Sequence, residues 1–343
     1  MNANLYERLA GLEFEIEGYA ARRLERPVSS GFTRVTTVVE FFGGGRVGCG
    51  EDVTYDAEDH DGFPTGLGLG WRGMLGAFLE RFEYLPLFGA EPVRPASLGH
   101  RRWAFESAAL DLALRQHGLS LGAALGLAYR PLRFVVSTRL DIRPWLEIYP
   151  ELEFKLDPTP EWDRKLLARI GRCGCVRVLD FKAYYSGTPV DVAPDPSLYR
   201  AVTKAFPEAI IEDPWLEGEC GRVLRGAQER LSFDSLVHSW ADVEALPAAP
   251  RYLNVKPSRF GSLRRLLEFI EKAPEAGITL YGGGQFELGV GRDQIQQLAS
   301  LFYAEAPNDV APMGYNEPEP RAGLPASPLP APNAVIGFGV EGT

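Results

Sequence analysis

The 343-residue chain predicts an α/β architecture, a (β/α)8 TIM-like barrel behind an N-terminal α+β capping domain, and three observations point there. A hairpin-like alternation followed by helical periodicity fills the first third. After Gly126, short apolar runs recur at intervals of roughly 20 to 30 residues, with helix-compatible sequence between them, the rhythm of βα units. Most of these runs end in Asp, Glu or Lys, and the carboxyl ends of parallel barrel strands share one rim.

In order along the chain, Phe32–Phe42, a Gly43-Gly44-Gly45 turn and Arg46–Glu51 read as a β-hairpin, followed by helices around Trp71–Phe82 and Arg101–His117. Residues 1–126 therefore form the expected α+β cap and 127–316 the barrel. The eight expected strands are Leu132–Ser137, Leu152–Leu156, Val176–Phe181, Ala209–Ile211, Leu231–Phe233, Tyr252–Val255, Ile278–Tyr281 and Asp309–Ala311. Trp162–Ile170 and Ser262–Lys272 suit amphipathic helices, and Gly218–Arg230 suits one less well. The Pro-rich tail, 317–343, is expected to run extended over the surface or the cap, with Ala334–Phe338 docking on the first domain. Loops of the cap near Tyr19–Thr33 and Val53–Gly66 are expected to lie over the barrel mouth and select ligands.

Composition narrows the function. Hydrophobic residues make up 45% and charged residues 24%, as in ordinary globular proteins, and no window approaches the ~18 apolar residues of a membrane span. Neither a basic nor an apolar leader opens the chain, so a cytoplasmic location is the default. A net charge of −10 argues against a nucleic-acid partner but not against an anionic substrate, because a bound dication and inward lysines dominate the field of a pocket. Cys49, Cys173, Cys175 and Cys220 lack zinc-site spacing and read as buried thiols, with a redox or soft-metal role for Cys173 and Cys175 as the alternative.

The chemistry is carried by Lys155, Asp157, Asp180, Lys182, Glu212, Asp213, Asp234 and Lys256, all at expected strand ends. One such acid is more often a helix N-cap or turn residue. Asp180, Glu212 and Asp234, from three successive strands, instead suggest three hard oxygen ligands for Mg2+, with Mn2+ as an alternative. Asp213 is the weakest of the set, since Asp213-Pro214 also favours a turn. Lys256 ends an apolar strand and suits a general base whose ammonium is disfavoured near a dication; the rival is a purely structural ion pair. None of the four histidines ends the sixth or seventh strand, although His238 follows Asp234 closely. Gly282-Gly283-Gly284 lacks the spacing of a nucleotide motif and reads as a loop permitting close approach.

In order and context these residues resemble the enolase superfamily, in its muconate-lactonising and o-succinylbenzoate-synthase-like branch, across nearly the whole chain. The Val38…Glu51 hairpin and the Ala104…Gly126 helical segment are similar to that family's cap and its junction with the barrel. The resemblance implies Asp180, Glu212 and Asp234 as metal ligands, Lys256 as the sixth-strand lysine, Glu287 as the seventh-strand acid and Asp309 as the eighth-strand acid near substrate. It also implies the chemistry: a Lys base and Mg2+ holding an enediolate. One departure stands out. Where that branch has Lys-x-Lys on the second strand, this chain has Lys155-Leu156-Asp157, and where it has Asp-x-Asn on the third, this chain has Asp180-Phe181-Lys182. The expectation is that the second cationic group has moved to Lys182; a plain Asp157–Lys182 ion pair is the rival.

The reading is thus a metal-dependent lyase or isomerase acting on a small-molecule carboxylate. Lys256, Lys182 and Lys155 are the catalytic candidates, and Asp157, Asp213, Glu287 and Asp309 lie toward substrate. A homo-oligomer is left open. The competing readings are a metal-free Schiff-base lyase and a catalytically silent ligand-binding relative.

Overall fold

Two antiparallel sheets come first in the chain and one curled parallel sheet follows, in a computed structural model that describes residues 4–188, 190–332 and 335–339. The first part begins with helix α1 (Leu5–Ala10), capped by the Asn4 side chain, and strand β1 (Glu13–Ile16), which pairs with β5 (Trp71–Met74). Strands β2 (Gly18–Pro27), β3 (Thr33–Gly43) and β4 (Arg46–Asp52) form an antiparallel meander. The hairpin read from sequence is β3–β4. Its partner β2 lies inside the segment expected as the Tyr19–Thr33 loop; ten residues of it are strand, and only the stretch around 28–32 turns. The signal was missed because β2 is an edge strand with a mostly exposed, Arg- and Glu-bearing sequence, so hydrophobic alternation is faint.

Helices α2 (Ala57–Asp61), α3 (Leu75–Glu80), α4 (Ser97–Gln116) and α5 (Leu121–Leu125) complete this part. α4 is buried along nearly its whole length, and packs so closely on β4 that a Cβ at Gly48 or Gly50 would meet its backbone at 2.2 and 2.0 Å. Inside this interface Asp52 and Arg101 pair at 2.8 Å, both side chains fully buried, and the remaining Arg101 donors are taken by Leu87 O and Asp59 O. Such a pair holds only because every partner is supplied.

The parallel sheet runs in sequential order through β6 (Val136–Thr138), β7 (Phe154–Leu156), β8 (Val176–Asp180), β9 (Ile210–Glu212), β10 (Leu231–Phe233), β11 (Tyr252–Val255) and β12 (Thr279–Gly282). Between them lie α6 (Arg143–Ile148), α7 (Arg164–Gly171), α8 (Pro196–Ala205), α9 (Gly218–Val223), α10 (Trp240–Glu244), α11 (Pro257–Phe260) and α12 (Leu263–Glu275), and α13 (Val290–Phe302) follows β12. Seven of the eight expected strands are ladders. The eighth, Asp309–Ala311, is reduced to single parallel bridges, Phe134 with Asn308 and Gly283 with Asp309. What a longer strand would do falls to the buried Asn308 side chain. Its Oδ1 accepts Gly282 N at 2.7 Å, and its Nδ2 donates to Arg133 O and Ala306 O at 2.9 Å and to Tyr303 O at 3.0 Å. The barrel closes on a side chain that satisfies the backbone groups a ladder would have paired.

The cap is fixed to the barrel by carboxylates. Glu51, at the end of the cap hairpin, accepts Leu288 N, Gly289 N and Gly291 N at 2.6, 3.0 and 2.8 Å, satisfying free donors at the start of α13 from another element. Asp111 of α4 accepts Phe338 N and Cys49 N, so the tail end returns to this region, with the Phe338 ring buried against Trp103. Ala334, at the start of the expected docking segment, lies outside the described residues. The tail is otherwise irregular across the barrel flank, touching it through Leu329 and Leu132.

The cysteines depart from the expectation of four buried thiols. Cys173 and Cys175 form a disulfide, with Cys173 exposed, while Cys220 is buried and Cys49 half-buried.

At the cap–barrel junction His100 of α4 is buried and accepts from Gln285 Nε2 at 3.0 Å, which ties its ring to the loop after β12. Burial lowers its pKa to about 3, with only a partial offset from Asp52. Because the unfolded ring takes its proton near 6.5, the unfolded state binds one more proton below that pH, and stability is lost as pH falls from 6.5 toward 3. Chemical denaturation of wild type and His100→Gln between pH 7 and 4.5 should give slopes differing by about 1.4 kcal/mol per pH unit. Parallel slopes would show that this ring is already protonated in the fold.

Candidate active site

Alternation along the barrel strands sets the site. Residues two apart share a face. Val178, Ile210 and Tyr281 form an apolar layer inside the barrel, while Leu179 and Ile211 pack outward among the helices. One step further toward the carboxyl ends, on the inward face, come Asp180, Glu212 and Asp234, each fully buried, with one carboxylate oxygen of each within 4.8 Å of the others. Pairing of Asp180 with Glu212 in the β8–β9 register puts these two side by side.

Like charges this close in a buried setting require counter-charge. Lys155, from β7, lies 2.5 Å from Glu212 Oε1, 3.2 Å from Asp180 Oδ2 and 3.5 Å from Asp309 Oδ2. Lys182 pairs with Asp180, and Lys256 lies 2.7 Å from Asp234 Oδ2. Arg259 of α11 adds a contact of 3.2 Å to Asp234 Oδ1. Burial alone would raise Asp180 and Asp234, but Lys182 and Lys155 for the first, and Arg259 and Lys256 for the second, hold both below the ordinary carboxylate range. Glu212 goes the other way. Burial pushes it up to about 8, Lys155 offsetting only part of this while its two acidic neighbours add to it.

Neutral partners complete the cluster. Tyr281 and Asn254 donate to Glu212, Ser232 pairs with the Tyr281 hydroxyl at 2.8 Å, and Tyr185 donates to Asp234 Oδ2 at 2.9 Å. Tyr185 and Arg259 were not foreseen. Both follow a strand end, in a loop and in a short helix, where pattern gives no direction for a side chain. Tyr281, Asn254 and Ser232 share the inward face with the charged residues, and the period-2 rule could have found them.

Of the remaining expected residues, Asp309 borders the cluster through Lys155. Asp157 is bonded by Arg139 at 2.7 Å, not by Lys182, so the simple Asp157–Lys182 pair is not formed. Asp213, with φ of 46°, places both oxygens on backbone donors, Asp234 N at 2.9 Å and Ser235 N at 3.0 Å, and so braces the strand end that carries Asp234. Glu287 accepts Gln285 N at 2.7 Å and lies 3.0 Å from Arg292, so its partners are the loop and α13 rather than the triad. Lys182 reaches Asp180 for a reason other than strand pleat: β8 ends at Asp180, and Lys182 has a left-handed φ of 54° in a turn whose N–H bonds Asp180 Oδ1 at 3.2 Å. His238 bonds Ser235 O and stands apart from the carboxylates.

The donor set fits a hard divalent cation. It offers three carboxylates and no sulfur or imidazole, fully buried, and Asp234 Oδ1 accepts no well-directed hydrogen bond despite the nearby guanidinium.

Two family models match the chain, the N-terminal domain of DUF8230, a domain of unknown function, over residues 7–124 and its C-terminal domain over residues 128–317. The chain belongs to the DUF8230 family. Among curated proteins, an N-succinylamino acid racemase from Amycolatopsis sp. is 29% identical, over 77% of this DUF8230 chain and 75% of its own. Among solved structures, a mandelate racemase/muconate lactonizing protein from Herpetosiphon aurantiacus aligns with a TM-score of 0.67 at 18% identity, covering 95% and 99% of the two chains. A dipeptide epimerase from Methylococcus capsulatus, complexed with Mg and the dipeptide L-Arg-D-Lys, aligns with a TM-score of 0.66 at 20% identity, covering 88% and 92%. The capped barrel of this DUF8230 protein therefore shares the fold of these solved structures at low sequence identity. Among its described residues no helix is long and apolar enough to cross a membrane.

The glycine run has a local purpose. A Cβ at Gly283 would stand 2.1 Å from Asn254 Oδ1 and 2.9 Å from Lys256 Cε, so the bare backbone there lets both side chains cross the end of β12. Gly283→Ala should keep the fold, seen by circular dichroism, while displacing Lys256 and lowering turnover at least 10-fold once a substrate is in hand; unchanged turnover would mean that Lys256 has room to spare.

Proposed function

We propose that this protein is a divalent-metal-dependent enzyme that removes the proton from the carbon next to a substrate carboxylate. The observation carrying this reading is the fully buried Asp180–Glu212–Asp234 triad, flanked by lysines from opposite sides of the barrel. Mg2+, held by these three carboxylates, would supply the positive charge that stabilises an enediolate, worth several kcal/mol or more.

The rest falls to the chain's own residues. Lys256, on β11, accepts or returns the α-proton at its Nζ. Lys155 lies on β7 and Lys182 in the turn after β8, four and three strands away from β11 round the sheet, so they face the substrate from the other side. Lys182 is the second acid or base, taking the place that the absent second-strand lysine leaves. Lys155 has the more buried position, against Glu212 and Asp180, and orients Glu212. Asp157, tied to Arg139, and Asp309, beside Lys155, border the substrate, while Asp213 and Glu287 act through the elements they brace. With a competent base on each face the outcome is epimerisation or racemisation; with one, it is elimination or cycloisomerisation. The substrates named for the similar proteins, N-succinylamino acids and a dipeptide, make acylated amino acids and dipeptides the first compounds to try.

In D2O with Mg2+, one or more members of a library of such acids should gain deuterium at the α-carbon, and EDTA should abolish the uptake with recovery on adding Mg2+ or Mn2+. Uptake indifferent to EDTA, with borohydride trapping a lysine adduct, would favour a Schiff-base lyase instead. Lys182→Ala should reduce turnover by 10³-fold or more, the usual scale for losing an acid–base group, while calorimetric Mg2+ affinity changes by less than about 10-fold. Near-normal turnover in that variant would remove Lys182 from the chemistry.

A further inference from the structure

The Cys173–Gly174–Cys175 disulfide lies at the opposite end of β8 from Asp180, in the loop joining α7 to that strand. Nothing in the metal-site chemistry uses it. It is also poorly suited to be a staple. Two cysteines separated by one residue are already neighbours in an unfolded chain, so a bond between them removes little conformational freedom. The strand start is held by other means: Phe154 N donates to Cys175 O at 2.8 Å, and Arg177 Nη1 donates to Gly174 O at 2.9 Å.

The two sulfurs sit in unlike surroundings. Cys173 is exposed, together with Arg172 and Gly174 on either side, while Cys175 is 6% exposed. Gly174 has φ of 62°, a left-handed turn that glycine adopts without strain and that folds the two cysteines toward each other. Arg169 and Arg172 precede the disulfide in the chain and Arg177, which donates to Gly174 O, follows it; the acid at the start of the neighbouring strand, Glu153, is engaged by Arg133 and Arg177. Local positive charge favours a thiolate over a thiol and draws in anionic reagents. The other cysteines differ. Burial pushes the Cys49 thiol up to about 12, and Cys220 is buried.

We propose that Cys173 and Cys175 form a reversible dithiol–disulfide centre that exchanges with anionic low-molecular-weight thiols, entered at Cys173. A small thiolate attacks Cys173 Sγ, the bond between the two protein sulfurs breaks, and its electron pair leaves on Cys175 Sγ, which takes up a proton. A second small thiolate attacks the sulfur of the first reagent in the mixed disulfide, forming the small-molecule disulfide and releasing Cys173 as the thiolate. Two small thiols are oxidised and one protein disulfide is reduced, a two-electron exchange needing no other reactant. The centre makes this chain a substrate for thiol-buffered redox control, independent of the metal-site reading.

The test uses air-oxidised full-length protein equilibrated at neutral pH, without denaturant, against glutathione at stepped ratios of reduced to oxidised form. Samples are acid-quenched, labelled with maleimide and mapped by mass spectrometry. The expected result is paired labelling of Cys173 and Cys175 in one two-electron step, with the free thiols Cys49 and Cys220 labelled to the same extent at every ratio and the thermal midpoint moved by less than about 3 °C. Cys175→Ser, lacking the resolving sulfur, should accumulate one glutathionyl group on Cys173, at least 10-fold more than Cys173→Ser accumulates on Cys175. Absence of the disulfide from air-oxidised protein, or its reduction only where denaturant unfolds the chain, overturns the proposal on wild type alone. Equal glutathionylation of the two variants overturns the assignment of Cys173 as the point of entry.

Discussion

Three carboxylates from adjacent strand ends, all out of water and with one oxygen of each within 4.8 Å of the others, are the constraint around which the barrel interior is organised. An isolated arrangement of this kind is heavily disfavoured, since each charge loses its hydration and repels the others. The structure answers with cations from separate elements, Lys155, Lys182, Lys256 and Arg259, and with neutral donors, Tyr185, Asn254 and Tyr281. A cluster so dependent on its partners contributes little net stability, and loss of one partner leaves a stranded charge, a cost of about 3–5 kcal/mol. The layer of Val178, Ile210 and Tyr281 packs together beneath the cluster inside the barrel.

The same logic of satisfied buried polar groups joins the two parts of the chain. Glu51 supplies an acceptor to the N-terminal donors of α13, and Asp111 reaches both the hairpin and the chain's returning tail. Asp213 does this inside the barrel, bracing the start of the loop after β10 and thereby Asp234. These are acids whose residue type suggests chemistry and whose geometry shows positioning. The distinction matters for reading the site, because Asp213 and Asp234 are equally buried and both end up in the same small region.

How far the site was legible can be judged strand by strand. Leu231–Phe233 and Tyr252–Val255 stand as read, because each is a short apolar run flanked by breaking or polar residues. Asp309–Ala311 was read as a strand on the same pattern, yet the chain pairs there at single positions and Asn308 does the rest. A three-residue run such as Asp309-Val310-Ala311 cannot reveal whether its backbone groups find a ladder or a side chain. Asp180, Glu212 and Asp234 were legible because strand period and parallel order alone bring them together. Arg259 and Tyr185 were not, because both lie where the chain has left the strand and no period applies.

The sequence by itself determined the barrel rhythm, the hairpin β3–β4, the carboxylate triad and the placing of Lys155 and Lys256 beside it, since each follows from local period and from the rule that parallel strands end on one rim. Tertiary structure decided which acid binds what: Asp157 turns to Arg139, Glu287 to Arg292 and Asp213 to the backbone of its neighbour, while Lys182 swings through a left-handed turn onto Asp180. The physical reason is the same in each case. A buried charge settles on whichever partner the completed packing brings within hydrogen-bonding reach, and that partner is distant in sequence.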